Sequence, residues 1–381
     1  LTQCVVAGGK VLVASVDAHT LHALDAGDGC PVWSYVAGGR IDSAPTVTEG
    51  RVLFGSRDGW VYCLRAGDGA LAWRYRAAPN EAWLTAFDRL ESPWPVFGSV
   101  LVHDSVAYVS AGRSSFLDGG MVLYGLDVKT GTVIHRRHLE GPRPDIAKDV
   151  GQPYAMRGAK PDLFTFNGTS LSMGPREFKL DLSDHREFDP QGAENWTTSG
   201  AHLRSGSGLL DDTWHDRTFW THGRAWPGRN VFQSAHIAPK TGQILVFDES
   251  TVYALKVFFH KHRMSPKHVP GGGYALIADA IGNEPGRNFR RAAPPQWKTL
   301  LPLRARGLML AGDTLFLAGC RDAIPEDDPT AVYEGRTPAV LWAGSTSDGG
   351  RIAEQELDAP PVCDGMSAAG GRLYISGIDG T

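Results

Sequence analysis

The chain has 381 residues, 46 of them glycine and 24 proline, and 38 basic side chains against 42 acidic ones leave a formal net charge of −4. That balance makes no field able to gather nucleic acid or an anionic membrane surface, so both are disfavoured as partners. No apolar run approaches the roughly twenty residues that a membrane-spanning helix needs. The glycines and prolines are dispersed, which fits many short strands joined by turns better than disorder.

In chain order, Gly9 to Asp17 reads as a short strand closed by a polar turn, and Leu21-His-Ala-Leu-Asp-Ala-Gly-Asp-Gly-Cys-Pro-Val-Trp33 reads as a tight hairpin. The same pair returns about forty residues later, as Gly50 to Asp58 followed by Val61-Tyr-Cys-Leu-Arg-Ala-Gly-Asp-Gly-Ala-Leu-Ala-Trp73. A third, degenerate copy spans Val122 to His135, and a fainter fourth spans Val340 to Ala353. Four short strands per unit of roughly forty residues describe a β-propeller blade. Length divided by about 42 residues per blade gives about nine, and the visible insertions lower the expectation to eight blades, with seven as the alternative. The fold class is therefore all-β, one propeller domain over residues 1–381 built of four-stranded antiparallel blades.

The pattern Ala23-x-Asp25-x-x-Asp28-Gly29-x-x-x-Trp33 resembles the tryptophan-docking repeat of the quinoprotein-type (PQQ-like) propellers, including the BamB group. The stretches Leu209 to Trp220 and Pro361 to Ser376 resemble the large planctomycete-type members of that group. The resemblance implies a structural docking role for Trp33 and Trp73 with Asp25, Gly29, Gly69 and Gly131. It also implies a periplasmic or secreted location. The competing role for Trp33 and Trp73, an aromatic platform for a sugar or a quinone, is less consistent with their matched repeat positions.

Blades one and two occupy about Thr2 to Val36 and Ile41 to Ala77. Between blades two and three, the spacing of Trp83, Phe87 and Leu90 ahead of Pro93 predicts a short helix. Blade three runs from Val96 to Leu139, prolines interrupt residues 141–150, and blade four is expected over 162–173 and 177–181. From Asp184 to Gly242 the composition shifts toward His, Trp, Arg and Asp, and this break in the repeat is where functional loops are expected. A hairpin over Ile244 to Leu255, a strand over Tyr274 to Ala278 and a last full blade from about Gly307 to Asp358 follow. The chain opens on Leu1 without an initiator Met and stops one strand into a further blade, which reads as a piece of a longer precursor whose last blade is incomplete. That blade either leaves a gap or recruits residues near Leu1, and its open edge is a place for self-association.

The richest chemistry lies in His202, Arg204, Asp211, Asp212, Trp214, His215, Asp216, Arg217 and His222. Asp212, His215, Arg217 and His222 are the catalytic candidates, and His202, Asp212 and His215 are weak metal-ligand candidates. Asp211 and Asp212 are neighbours in an expected strand and so point to opposite faces unless a turn intervenes. The alternative role for this set is structural, with a carboxylate capping a corner, Arg217 ion-paired and the tryptophans in the core. His260, His262 and His268 lack carboxylate or cysteine partners at ligand spacing and read as a solvated basic loop. Gly271-Gly-Gly is not a phosphate loop, because no Lys-Ser/Thr follows it. Five cysteines form no CxxC pair and read as buried free thiols. The adjacent-Cys disulfide of many PQQ alcohol dehydrogenases is missing, as is a CxxCH haem attachment.

Two functions follow from this reading. One is a non-catalytic, extracytoplasmic binding or scaffolding module that presents loop faces to a protein or glycan. The other is a quinoprotein-like dehydrogenase or a metal-assisted carbohydrate-active enzyme with its site over 202–222, using PQQ or a divalent metal. No cofactor is expected under the first.

Overall fold

The computed structural model describes residues 1–86, 88–141, 159–174, 176–185, 196–205, 220–226, 238–256, 274–286 and 290–381. These fall into two compact units, one formed by residues within 5–185 and the other by residues 1–4 together with residues from 196 onward. Each is built almost wholly of antiparallel sheets whose strands follow one another in sequence order.

In the first unit, β1 (Val5–Ala7), β2 (Lys10–Ser15), β3 (Thr20–Asp25) and β4 (Pro31–Val36) form one four-stranded sheet. Next, β5 (Thr46–Thr48), β6 (Arg51–Gly55), β7 (Trp60–Arg65) and β8 (Leu71–Arg76) repeat it. After a two-stranded hairpin of β9 (Leu84–Ala86) and β10 (Arg89–Glu91) comes the sheet of β11 (Leu101–His103), β12 (Val106–Ala111), β13 (Met121–Asp127) and β14 (Val133–Leu139). A three-stranded sheet of β15 (Phe164–Phe166), β16 (Leu171–Met173) and β17 (Arg176–Phe178) ends the unit.

The second unit begins with β18 (Trp196–Ser205), β19 (Trp220–Trp226) and β20 (Thr241–Gly242). The next sheet is β21 (Ile244–Phe247), β22 (Thr251–Lys256), β23 (Tyr274–Ala280) and β24 (Trp297–Leu301). β25 (Leu303–Ala311), β26 (Thr314–Arg321), β27 (Ala339–Ser345) and β28 (Arg351–Leu357) make the following one, with a single-turn helix α1 (Ala331–Glu334) before β27. Last is the pair β29 (Pro361–Ala369) and β30 (Arg372–Gly377). Gln3 Nε2 donates to the Cys363 carbonyl at 3.1 Å and Ser367 Oγ donates to the Cys4 carbonyl at 2.6 Å, so the first residues of the chain lie against this last pair.

The corner between the third and fourth strands is chemically the same in four sheets. The amides of Asp25, Arg65, Asp127 and Ser345 donate across the turn to Cys30, Ala70, Thr132 and Gly350, while Gly29, Gly69, Gly131 and Gly349 donate back to Asp25, Arg65, Asp127 and Ser345. Those glycines sit at φ of 76°, 73°, 74° and 68°, left-handed values that cost a residue with a Cβ and little for glycine. The ladder slips by one residue at each of these corners.

Between neighbouring strands the apolar residues pack inward by the two-residue period of a strand. In the first two sheets Leu12, Leu21, Ala23, Val52, Phe54, Tyr62 and Leu64 form one buried cluster, with the Phe54 and Tyr62 rings stacked at 5.2 Å. Leu53, Val61, Cys63, Val109 and Tyr124 form the next. In the second unit Leu255, Leu276, Leu303, Leu317 and Trp342 do the same.

Two expectations are corrected. The segment holding Trp83 and Leu90 is the β9–β10 hairpin and not a helix. A left-handed Asp88, φ 59°, makes the reversal that a helix cannot contain, and the helical spacing of the apolar residues is coincidental. The cysteines are all free, but only Cys4, Cys63 and Cys320 are buried, while Cys30 and Cys363 are exposed. Cys30 ends a solvent-facing corner, and Cys363 lies where the β29–β30 register breaks between Pro361 and Met366.

Candidate functional site

Of the sequence candidates, His202 and Arg204 on β18 and His222 on β19 are described, whereas Asp211, Asp212, Trp214, His215, Asp216, Arg217, His260, His262 and His268 lie outside the described residues. In the β18–β19 ladder His202 faces Gly223, Leu203 faces His222 and Arg204 faces Thr221. Alternation therefore sets His202 and Arg204 on one face and His222 on the other. All three are buried. The ladder brings the first two together and separates the third.

His222 sits against Phe247, ring centroids 4.6 Å apart, and its amide donates to the Lys240 carbonyl at 3.0 Å. Burial first, and then the Lys240 ammonium, hold its imidazole below the ordinary range, with Glu284 opposing them. It is held as a neutral ring, a state suited to packing or to accepting a proton.

Beside it lies a charged cluster that the sequence reading did not single out. Buried Lys240 donates from Nζ to Glu284 Oε1 at 2.6 Å and to the Ile281 carbonyl at 2.7 Å. Its amide donates to Asp279 Oδ2 at 2.9 Å. Asp279, fully buried, is also ion-paired with Arg291 and accepts from Asn283 Nδ2 at 3.2 Å. Lys256, also buried, donates to the Ala238 carbonyl, and burial drives its ammonium well below the usual lysine range. The available signal was Asp279 itself, a carboxylate closing the apolar run Tyr274 to Ala278. Among the described residues no three His, Cys, Asp or Glu side chains converge as a metal-binding group.

In the first unit the β9–β10 hairpin presents a different kind of site. Glu91, buried, accepts from Arg57 at 3.2 Å and from Arg40 at 3.4 Å, while Arg89 pairs at the surface with Asp17 at 2.5 Å. Arg57 is further held by Asp42 at 2.8 Å and lies over the Phe97 ring. The hairpin's outer face is apolar, for Trp83 and Leu90 are 52% and 63% exposed. Leu90 pairs with exposed Thr85 on β9, so alternation carries it outward, and Trp83 stands exposed just before that strand.

The glycine corners form the third feature. Trp33 on β4 donates its Nε1 to the Ala66 carbonyl at 3.2 Å and lies where a Cβ on Gly69 would come within 2.6 Å of the ring. Trp73 on β8 donates to Val128 at 3.0 Å and covers Gly131 in the same way. Trp297 on β24 does so at Thr346 and Gly349, a third instance in a region where the sequence repeat is faint. Asp25 Oδ1 accepts the Gly27 amide at 2.7 Å and fixes the first corner.

Residues 2–169 match the family model described as outer membrane protein assembly factor BamB. Among curated proteins none matches the chain. Among solved structures, the quinohemoprotein alcohol dehydrogenase of Comamonas testosteroni is similar at 13% identity and a TM-score of 0.56, over 99% of this chain and 70% of that one. The computationally designed Ika8 protein is similar at 10% identity and a TM-score of 0.54, over 100% and 94%. A europium-containing methanol dehydrogenase is similar at 11% identity and a TM-score of 0.52, over 94% and 78%. Identities this low speak to the fold, and one fold carries both dehydrogenases and a designed protein.

Proposed function

As a member of the PQQ-like β-propeller repeat family, this chain is, we propose, a non-catalytic binding or scaffolding module that works outside the cytoplasm on a protein or glycan partner. The observation that carries this reading is the β9–β10 hairpin. Buried Glu91 is tied to Arg40 and Arg57, Arg89 pairs with Asp17 at the surface, and Trp83 and Leu90 are turned to solvent. A folded chain gains nothing in stability from exposing an indole and a leucine on one short hairpin, whereas exposed apolar side chains beside charged ones are what a protein surface uses as an anchor. The periplasmic or secreted location rests on the family.

The enzyme reading keeps one specific support, the buried Lys240, Glu284, Asp279 and Arg291 cluster beside His222, within the repeat-breaking region and the sheet that follows it. Two measurements separate the readings. A photo-crosslinking amino acid at Leu90 in producing cells gives discrete protein or glycan adducts if the hairpin is a docking surface, and the same group at exposed Val133 does not. Stoichiometric uptake of PQQ with calcium, accompanied by dye-linked alcohol oxidation, would overturn the binding reading.

A further inference from the structure

We propose that β14 and β28 are the two halves of a self-association contact, the basic β14 of one copy pairing antiparallel with the acidic β28 of a second copy. Each is the last strand of its sheet and has one ladder neighbour, β13 for β14 and β27 for β28. Among the described residues no backbone hydrogen bond runs outward from either strand. Each therefore presents a row of N–H and C=O groups able to receive another strand. Of the five fourth strands, β14 (Val-Ile-His-Arg-Arg-His-Leu) is the richest in basic side chains. β28 (Arg-Ile-Ala-Glu-Gln-Glu-Leu) is the only one of the five that carries carboxylates.

Charge and exposure choose the register. Setting Arg136 opposite Glu356 puts Arg137 opposite Gln355 and His138 opposite Glu354. Alternation keeps Arg136 and His138 on one face of β14, and Glu354 and Glu356 on one face of β28, so opposite charges meet on one side of the new ladder. Arg136, His138 and Glu356 are exposed. Among the described residues Arg136 and Glu356 have no hydrogen bond or ion pair, and His138 meets the Gly119 carbonyl at 2.7 Å. Glu354 is held in place by Arg321 at 2.7 Å. The remaining charges do not oppose the contact. Arg137, on the other face, is paired with Asp184 at 2.5 Å. Arg351, the single cation of β28, lies 3.3 Å from Glu354 and falls beyond Leu139 in this register, while Val133 falls past the opposite end. The same charges reject the like pairings, since β14 against β14 or β28 against β28 brings equal charges together. A second copy is the occupant because the chain carries both halves, and the contact joins two different surfaces head to tail. It does not involve the β9–β10 hairpin, so the two proposals can fail independently.

The test is sedimentation velocity of the folded chain at rising concentration, in about 20 mM and about 500 mM salt. Mean size should grow with concentration at low salt and much less at high salt, where exposed charges are screened. Arg136→Glu sets a carboxylate against Glu356, and Glu356→Arg sets a guanidinium against Arg136, so each variant alone should associate at least about fivefold more weakly. An equimolar mixture of the two sets carboxylate against guanidinium again and should regain the association of the parent chain. Both positions are exposed, and circular dichroism checks that the variants keep the parent fold. A single species up to about 1 mM, single variants that associate like the parent, or a mixture no larger than its components would each overturn the proposal. Loss in Arg136→Glu with Glu356→Arg unchanged would overturn it as well, since β14 would then be meeting a different acidic surface.

Discussion

The indole of Trp297 covers Gly349 and donates its Nε1 to the Thr346 carbonyl at 2.8 Å, the relationship that Trp73 has with Gly131 and Val128 at 3.0 Å. Each ring ties the fourth strand of one sheet to the corner of the next. Trp33→Ala, Trp73→Ala and Trp297→Ala should each cost about 3 to 5 kcal/mol, from lost burial and the cavity left behind. Chemical denaturation of the three variants measures this, and an unchanged midpoint for any of them would remove its docking role.

Gly131→Ala tests the other half of that contact. The new methyl collides with the Trp73 ring and takes on a left-handed φ, so it should destabilise by more than the roughly 1 kcal/mol that the backbone alone explains. Gly29→Ala has the same backbone cost, and no described residue comes within 4 Å of its Cβ position. Thermal melts should therefore rank Gly131→Ala below Gly29→Ala, and equal melts would show that the ring is not in contact.

Much of this was legible in the sequence because the corners are local. Asp25, Gly29 and Trp33 lie within one hairpin, and a turn that needs a left-handed glycine and an aspartate acceptor leaves those residue types at fixed spacing. Trp297 was not legible, because it lies outside the four recognisable copies of the repeat and the copy containing its partner Gly349 is the faintest of them. The β9–β10 hairpin misled for a physical reason. Trp83 and Leu90 are spaced like one face of a helix, and what overrides that spacing is the left-handed Asp88 together with ion pairs to Asp17, Arg40 and Arg57, which are distant in sequence. The separation of His222 from His202 and Arg204 follows from register, which is set by pairing across strands rather than by composition.

Glu91→Ala and Trp83→Ser should divide stability from binding. Removing Glu91 leaves the guanidinium of buried Arg57 without one of its carboxylates, at a cost of about 2 to 4 kcal/mol. Trp83→Ser removes an exposed side chain and should change stability by less than about 0.5 kcal/mol. Urea titration of both variants checks the pair, and a large loss on Trp83→Ser would mean that the indole is a structural group and not a free anchor.

His222 sets an expected pH dependence. Its folded-state pKa is lowered by burial and by Lys240, so the folded protein binds fewer protons at this site than the unfolded chain over the window beneath the ordinary histidine pKa of about 6.5. Stability from this group is full above that value and is lost as pH falls through the window. His222→Gln should flatten the dependence of the unfolding midpoint between about pH 7 and pH 5. A slope identical to that of the parent chain would place the titration elsewhere.

Asp279 and Arg291 give the last expectation. The carboxylate is fully buried and is neutralised by Arg291, with further donation from the Lys240 amide and Asn283 Nδ2. Arg291→Met takes away the guanidinium and strands a buried charge, which should cost about 3 to 5 kcal/mol. The double variant Arg291→Met with Asp279→Asn removes both charges while an amide keeps an acceptor for the Lys240 N–H, so it should recover most of that loss. Recovery would identify the pair as a structural ion pair that anchors the loop after β23. If the double variant instead stayed folded but no more stable than Arg291→Met, the Asp279 carboxylate would hold a role in the cluster beyond pairing with Arg291.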